Sequence, residues 1–288
     1  MIWAVSWALA ARIDLDIHAV DTALDEGTRI RLEHTLWQAH HLYASRLGIE
    51  YPRSIRLDVT IYGDHAAFRA RADERGKPEW SGGWFEPQRD GTNIAVFYAG
   101  GSQARLVDVF LHEGSHFLVS FGGRIPRWLN EGLAEGLETS RAEESTLIVD
   151  TPRQHAAVLK RDGGGTVEGI VLDAEKWDDL SSETAGLRYV RAWALTTVLM
   201  ASTNGSDTLE AIAVAYRRTG RRSSSIDAID GTYRGGVAGL QRDLDAFAAS
   251  PPASTTVSTT LKGALREDAL WTSCPDGRLV QTTTGCGL

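Results

Sequence analysis

The stretch Leu106–Gly123, LVDVFLHEGSHFLVSFGG, decides how the chain is organised. Its apolar residues recur at helical spacing and the paired Gly122 and Gly123 end the pattern, so a helix is predicted from Leu106 to Phe121. Within it His112 and His116 are four residues apart, which projects both imidazoles from one face, one turn above the other. Two such rings converge on a single ion. Glu113 follows the first His directly, so its carboxylate turns toward the same cavity without being a ligand, as a base acting on zinc-activated water requires. Val109, Phe110, Phe117 and Leu118 supply apolar burial around the pair. An HExxH pattern arises by chance about one time in a hundred in a chain of this size, so its context carries the weight.

That context is PRWLNEGLAEGLE, beginning at Pro126. A second amphipathic helix, predicted from Pro126 to Thr139, follows a short turn marked by Gly and Pro and can fold back on the first. Glu131 is then placed as a third ligand. Two His and one Glu leave a fourth position on zinc for water or a substrate carbonyl. Glu135, one turn further on, is placed to accept the other ring N–H of a ligand His and to hold its tautomer. The alternative for both carboxylates is a solvated helical face.

HEGSH followed by WLNEGLAEG resembles the gluzincin metallopeptidases, the group that includes thermolysin-like and aminopeptidase N-like enzymes. The resemblance implies a zincin-like body, one zinc ion held by His112, His116 and Glu131, Glu113 as general base, and hydrolysis of a peptide or protein substrate. In the aminopeptidase N-like branch a WLNEG-type segment supplies the glutamate ligand, which by position is Glu131. The stretch from His116 to Glu131 is shorter than in those enzymes and their GxMEN-type motif is absent, so exopeptidase specificity is not implied. The short spacing and the strands ahead of HExxH are more similar to small bacterial peptidase-MA-like domains. By motif order the likeness covers about Ile55 to Gly220.

Two further expectations come from the resemblance. LRYVRAWALTTVLM is similar to the helix carrying the oxyanion-stabilising tyrosine, which would be Tyr189, acting by a phenol hydrogen bond to the developing oxyanion. Read without the family, Tyr189 is an amphipathic residue near a helix start, packed with Trp193. Gluzincins also pair the peptide backbone with an edge strand ahead of the metal helix, which makes Asn93, Ala95 and Phe97 substrate-binding candidates. Two other functions share this scaffold: a non-catalytic binding module, with or without zinc, and hydrolysis of a non-peptide amide by the same zinc water. The intact Glu113 argues against the binding module, and no fourth protein ligand, as a structural zinc site would have, is evident.

Outward from the motifs the chain reads as α+β: a small mixed or antiparallel N-terminal sheet packed on a mainly helical body. ARIDLDIHAV and IRLDVTIYG alternate as strands, Asp25 to Leu47 has helical spacing stopped by Gly48, and Asp64 caps a short helix. GGWFEP, the turn QRDGT and NIAVFYAG read as an antiparallel pair. Trp80, Trp84 and Phe85 there line a groove or fill the core. A third helix is predicted from Arg188 to Ala201. One domain is expected over residues 1–250, its α/β part at about 12–100 and its helical part at about 101–250. SPPASTTVSTT has linker composition, leaving residues 251–288 as linker and tail.

Composition narrows the partners. With 288 residues, 42% hydrophobic and 24% charged, the chain has the makeup of a globular protein. A net charge of -8 and no run of Lys or Arg exclude a phosphate-neutralising surface, so nucleic acid is not a partner. Ile2 to Ala11 is apolar but too short to span a bilayer and lacks a positive n-region, so it reads as a leader remnant or as a buried first segment, and no stable membrane span is expected. Cys274 and Cys286 either close a small disulfide loop, which would suit a periplasmic or secreted setting, or stay as thiols. His18, His34, His40, His41 and His65 read as structural or exposed, and His155 stands where the loop around VDTPRQ can enter a cleft.

Overall fold

Strict alternation in SIRLDVTIY makes a strand with one buried face: Ile55, Leu57, Val59 and Ile61 are buried while their neighbours are more exposed. The computed structural model describes residues 12–77, 82–87, 93–98, 102–143, 146–173, 183–258, 271–273 and 279–281. Among them, β1 (Arg12–Val20) leads through α1 (Glu26–Leu47) to β2 (Ser54–Tyr62), and the two strands pair in parallel. Helix α2 (His65–Glu74) precedes β3 (Gly83–Pro87) and β4 (Asn93–Tyr98). Strand β4 inserts between β2 and β3, parallel to the first and antiparallel to the second, giving the order β1-β2-β4-β3. The sheet is therefore mixed.

Helix α1 begins where the Asp25 side chain accepts a hydrogen bond from the Thr28 N–H at 2.8 Å. It ends at Gly48, whose φ of 60° is left-handed and suits a residue without Cβ. Its buried side packs Leu32, Leu36, Ala39, Tyr43 and Leu47 into the main core, with α3 (Gln103–Ser120) as the chief neighbour. Tyr43 Oη and Ser115 Oγ hydrogen-bond at 2.8 Å within that contact, so a buried polar pair ties α1 to α3. Alternation along β4 sends Ala95 and Phe97 into this core, while Val96 joins Phe68, Ala72 and Trp84 in a small cluster under α2. Trp84 is thus a core residue. Helix α3 starts three residues before the predicted Leu106, because Ser102 caps it by accepting from the Arg105 N–H at 3.2 Å.

Helix α4 (Arg127–Glu138) folds back on α3 and is followed by β5 (Ser140–Glu143) and β6 (Thr146–Asp150). Then come α5 (Arg153–Asp162), α6 (Val167–Leu172), α7 (Glu183–Ala201), α8 (Gly205–Thr219), α9 (Ser223–Thr232) and α10 (Gly236–Ala249). Strand β7 (Ser254–Ser258) pairs antiparallel with β6 and completes a sheet ordered β5-β6-β7. Part of the stretch with linker composition is therefore structural. Its β-branched Thr and Val favour a strand once an edge is offered, and Val257 is buried in the main core. A short hairpin, β8 (Trp271–Ser273) with β9 (Leu279–Gln281), lies in the tail.

Among the described residues, no helix is long and apolar enough to cross a membrane. The segment Ile2 to Ala11, Trp80, the turn QRDGT, Cys274 and Cys286 lie outside the described residues.

One close approach positions the second motif. A Cβ on Gly132 of α4 would stand 2.5 Å from the Ala192 carbonyl oxygen of α7 and would also collide with Thr196 Oγ1, so only glycine lets the two helices meet there. Gly132→Ala is expected to lower stability by about 1–3 kcal/mol through overpacking. At about 2–4 °C per kcal/mol for a chain of this length, thermal unfolding reads the loss directly. An unchanged Tm would show that the crossing has room to spare.

Candidate metal centre

Helices α3 and α4 meet with the two motifs face to face. His112 Nε2 lies 3.8 Å and His116 Nε2 3.7 Å from the same oxygen, Oε2 of Glu131. These separations are too long for hydrogen bonds. They are close to the roughly 3.4 Å between two ligands of a tetrahedral ion bound at about 2.0–2.1 Å. His112, His116 and Glu131 each turn one ligand atom into a space where all three lie within 4.8 Å of one another. The set of two nitrogens and one carboxylate oxygen fits zinc by its chemistry. Its second carboxylate oxygen, Glu131 Oε1, faces Arg127 Nε at 3.4 Å, so the two oxygens of one ligand are divided between the ion position and a guanidinium.

The other ring nitrogen of His112 departs from expectation. Nδ1 hydrogen-bonds Glu138 Oε2 at 3.0 Å, while Glu135 Oε1 stands at 3.9 Å, beyond hydrogen-bond reach. Glu138, not Glu135, therefore holds this imidazole. An Nδ1–H donated to a carboxylate leaves the Nε2 lone pair free for a metal. The reason for the exchange is geometric: Glu131, Glu135 and Glu138 share one face of α4, and the last reaches back along α3 to His112. Their spacing of four and three residues was legible in the sequence, and the missed signal was the third member.

Charge is concentrated here. Burial alone would push the His112 imidazole down, but the hydrogen bond to Glu138 and the charges of Glu113, Glu138 and Glu135 outweigh it and hold the pKa up at about 10. Burial, then the neighbouring Glu138, raise the Glu135 carboxyl above its ordinary value. The surroundings are thus an electronegative well that favours a cation. His116 Nδ1 is buried and has no hydrogen-bond partner among the described residues.

A cavity of about 570 Å³ opens beside these groups, lined in part by His112, Glu113, Glu135, Glu138, His155 and Tyr189. Glu113 is 8% exposed, so it faces this cavity and not bulk water. Tyr189 lies in the second turn of α7, which starts five residues earlier than predicted from Arg188. Burial and then the Glu131 charge push its phenol up, which keeps the O–H available as a donor, while Arg127 beside it acts in the opposite sense. His155 belongs to α5, not to a loop, and it too faces the cavity.

The expected substrate strand is not where the family likeness put it. Strand β4 is paired on both sides, Ala95 and Phe97 are buried in the core, and the Asn93 side-chain amide donates to the Arg56 carbonyl at 3.3 Å. A strand with both edges occupied cannot add a peptide, so Asn93, Ala95 and Phe97 are scaffold. The sheet ends instead at β3, whose Gly83 lines the cavity.

No protein-family model matches the chain, and no curated protein matches it either.

Glu138→Gln is expected to weaken zinc binding by about 10–100-fold, as loss of a carboxylate holding a ligand imidazole does, with Glu135→Gln weakening it less. Competition with a chromogenic chelator measures both. The reverse ranking would return the orienting role to Glu135.

Proposed function

We propose that this chain is a zinc-dependent metallopeptidase of gluzincin type with a zincin-like body, and that it hydrolyses peptide bonds. The observation that carries this reading is the convergence of His112 Nε2, His116 Nε2 and Glu131 Oε2 on one point, with Glu113 next to it on the wall of the cavity. The order of the motifs supports the family assignment: HExxH on one helix, then a ligand glutamate on the next.

Bound zinc would supply a Lewis acid that polarises the scissile carbonyl and lowers the pKa of water. Everything else is done by the protein. The Glu113 carboxylate accepts a proton from the attacking water as its oxygen bonds to the carbonyl carbon. It then delivers that proton to the leaving amine nitrogen as the C–N bond breaks. The neutral Tyr189 phenol donates a hydrogen bond to the oxygen on which charge develops. Glu138 keeps the His112 ring oriented, and Arg127 draws one oxygen of Glu131 aside so that the other is presented alone. Strand β3, at one end of the sheet among the described residues and with Gly83 on the cavity lining, is the strand beside which an extended backbone would lie.

A peptide-library cleavage assay with and without chelator, paired with metal analysis, tests the reading. Glu113→Gln is expected to retain its zinc and lose activity by about 10²–10⁴-fold. Undiminished cleavage by that variant would sink the assignment. Tyr189→Phe is expected to lower kcat by about 10²–10³-fold with little change in KM, and an unchanged kcat would remove the phenol from the mechanism. Stoichiometric zinc without cleavage of any peptide would favour a binding module.

A further inference from the structure

The cavity reaches past the candidate centre, to the side of His112 away from Glu131. There the carboxylate of Glu135 makes no hydrogen bond among the described residues, and its nearest neighbours are imidazole nitrogens, His155 Nε2 at 3.6 Å and His112 Nδ1 at 3.9 Å. Its side chain is only 15% exposed, and a carboxylate so far withdrawn from water is costly when it accepts no hydrogen bond. His155 is 7% exposed, its Nδ1 has no hydrogen-bond partner among the described residues, and its Nε2 is turned toward Glu135 across a gap too long for a hydrogen bond. Glu138 adds a second carboxylate on the same wall. Val109, Val158 and Val190, from three different helices, line the same cavity. Arg105, also on the lining, is exposed at the rim.

A cavity lined by both apolar side chains and carboxylates matches a side chain with an alkyl stem and a cationic head. We propose that this pocket is the specificity subsite of the reaction and takes a Lys or Arg side chain adjacent to the scissile bond, with Glu135 as its counter-ion and His155 as a further hydrogen-bond acceptor. The proposal rests on the peptidase reading. A second metal ion fits the pocket less well, although His112, Glu135 and Glu138 are close enough together to hold one. Such an ion would have to displace the hydrogen bond between His112 Nδ1 and Glu138, and it would leave the three valines without a role.

Internally quenched peptides carrying Lys, Arg, norleucine or Glu at one varied position, with free or acetylated N-termini, supply the test. Cleavage is measured with the zinc-loaded full chain, and binding by fluorescence anisotropy with zinc-loaded Glu113→Gln, which needs no turnover. Lys and Arg peptides are expected to be cleaved and bound about 10–100-fold better than norleucine, the range of a charge-assisted hydrogen bond. Glu135→Gln, in either background, is expected to abolish most of that ratio. Glu135→Asp, which withdraws the charge by one methylene, reads the same ratio if the amide variant does not fold. Val158→Phe is expected to weaken Lys and norleucine peptides alike by filling part of the cavity.

Equal handling of Lys and norleucine by the wild-type chain, or a ratio untouched by both Glu135 variants, would overturn the subsite. So would a preference that vanishes on N-acetylation, which would assign the pocket to a terminal amine. A second equivalent of zinc, lost in Glu135→Gln, would overturn it in favour of a metal. Lys-selective binding without cleavage of any peptide would defeat the peptidase reading and leave the pocket standing, whereas cleavage without Lys selectivity would do the opposite.

Discussion

Burying three carboxylates on one face of α4 against the histidines of α3 is the constraint that the rest of the structure serves. Glu131 is buried and Glu135 and Glu138 are partly so, and like charges in such a place repel unless something cationic stands among them. The hydrogen bond from His112 to Glu138 and the ion pair between Arg127 and Glu131 meet part of that cost. The remainder falls on the space between the ligand atoms and on Glu135. Such a site persists only on a rigid frame, and the frame here is apolar. Core side chains from α1, α3, α4 and α7 surround it, with Trp193 fully buried behind His155 at a ring distance of 5.1 Å.

The two nitrogens of His112 divide the site into halves. Nε2 faces the ion position shared with His116 and Glu131, while Nδ1 faces the acidic wall of the cavity. A single imidazole therefore borders both the candidate ion position and the acidic cavity wall. Arg127 does something comparable for Glu131, separating its two oxygens. Glu113 and Tyr189 both face the cavity, from two helices that each pack on α4. The crossing at Gly132 bears on this arrangement, since α4 carries Glu131 and α7 carries Tyr189.

The sheet contributes an edge more than a core. Among the described residues β4 lies inside the sheet and β3 at one end of it, with Gly83 of β3 on the cavity lining. Adjacent positions of β4 serve opposite faces, Ala95 and Phe97 toward the helices and Val96 toward α2, so this strand is committed to packing.

Local pattern carried much of this molecule. Alternation gave β1 and β2, helical spacing gave α1, α3 and α4, and the four-residue interval set His112 and His116 on one face, because each of these depends on residues a turn or a pleat apart. The Glu131 position followed from two helices joined by a short turn. What tertiary structure alone decided were the contacts between elements distant in sequence. It gave His112 to Glu138 and left Glu135 to His155, 20 residues onward, and it brought Val257 back to β6 from a stretch whose composition suggested a linker. It also reversed which of β3 and β4 is the edge. Strand order and helix crossing set those choices, and neither leaves a periodic mark in the chain, because each is settled by the packing of the whole core and not by neighbours along the backbone.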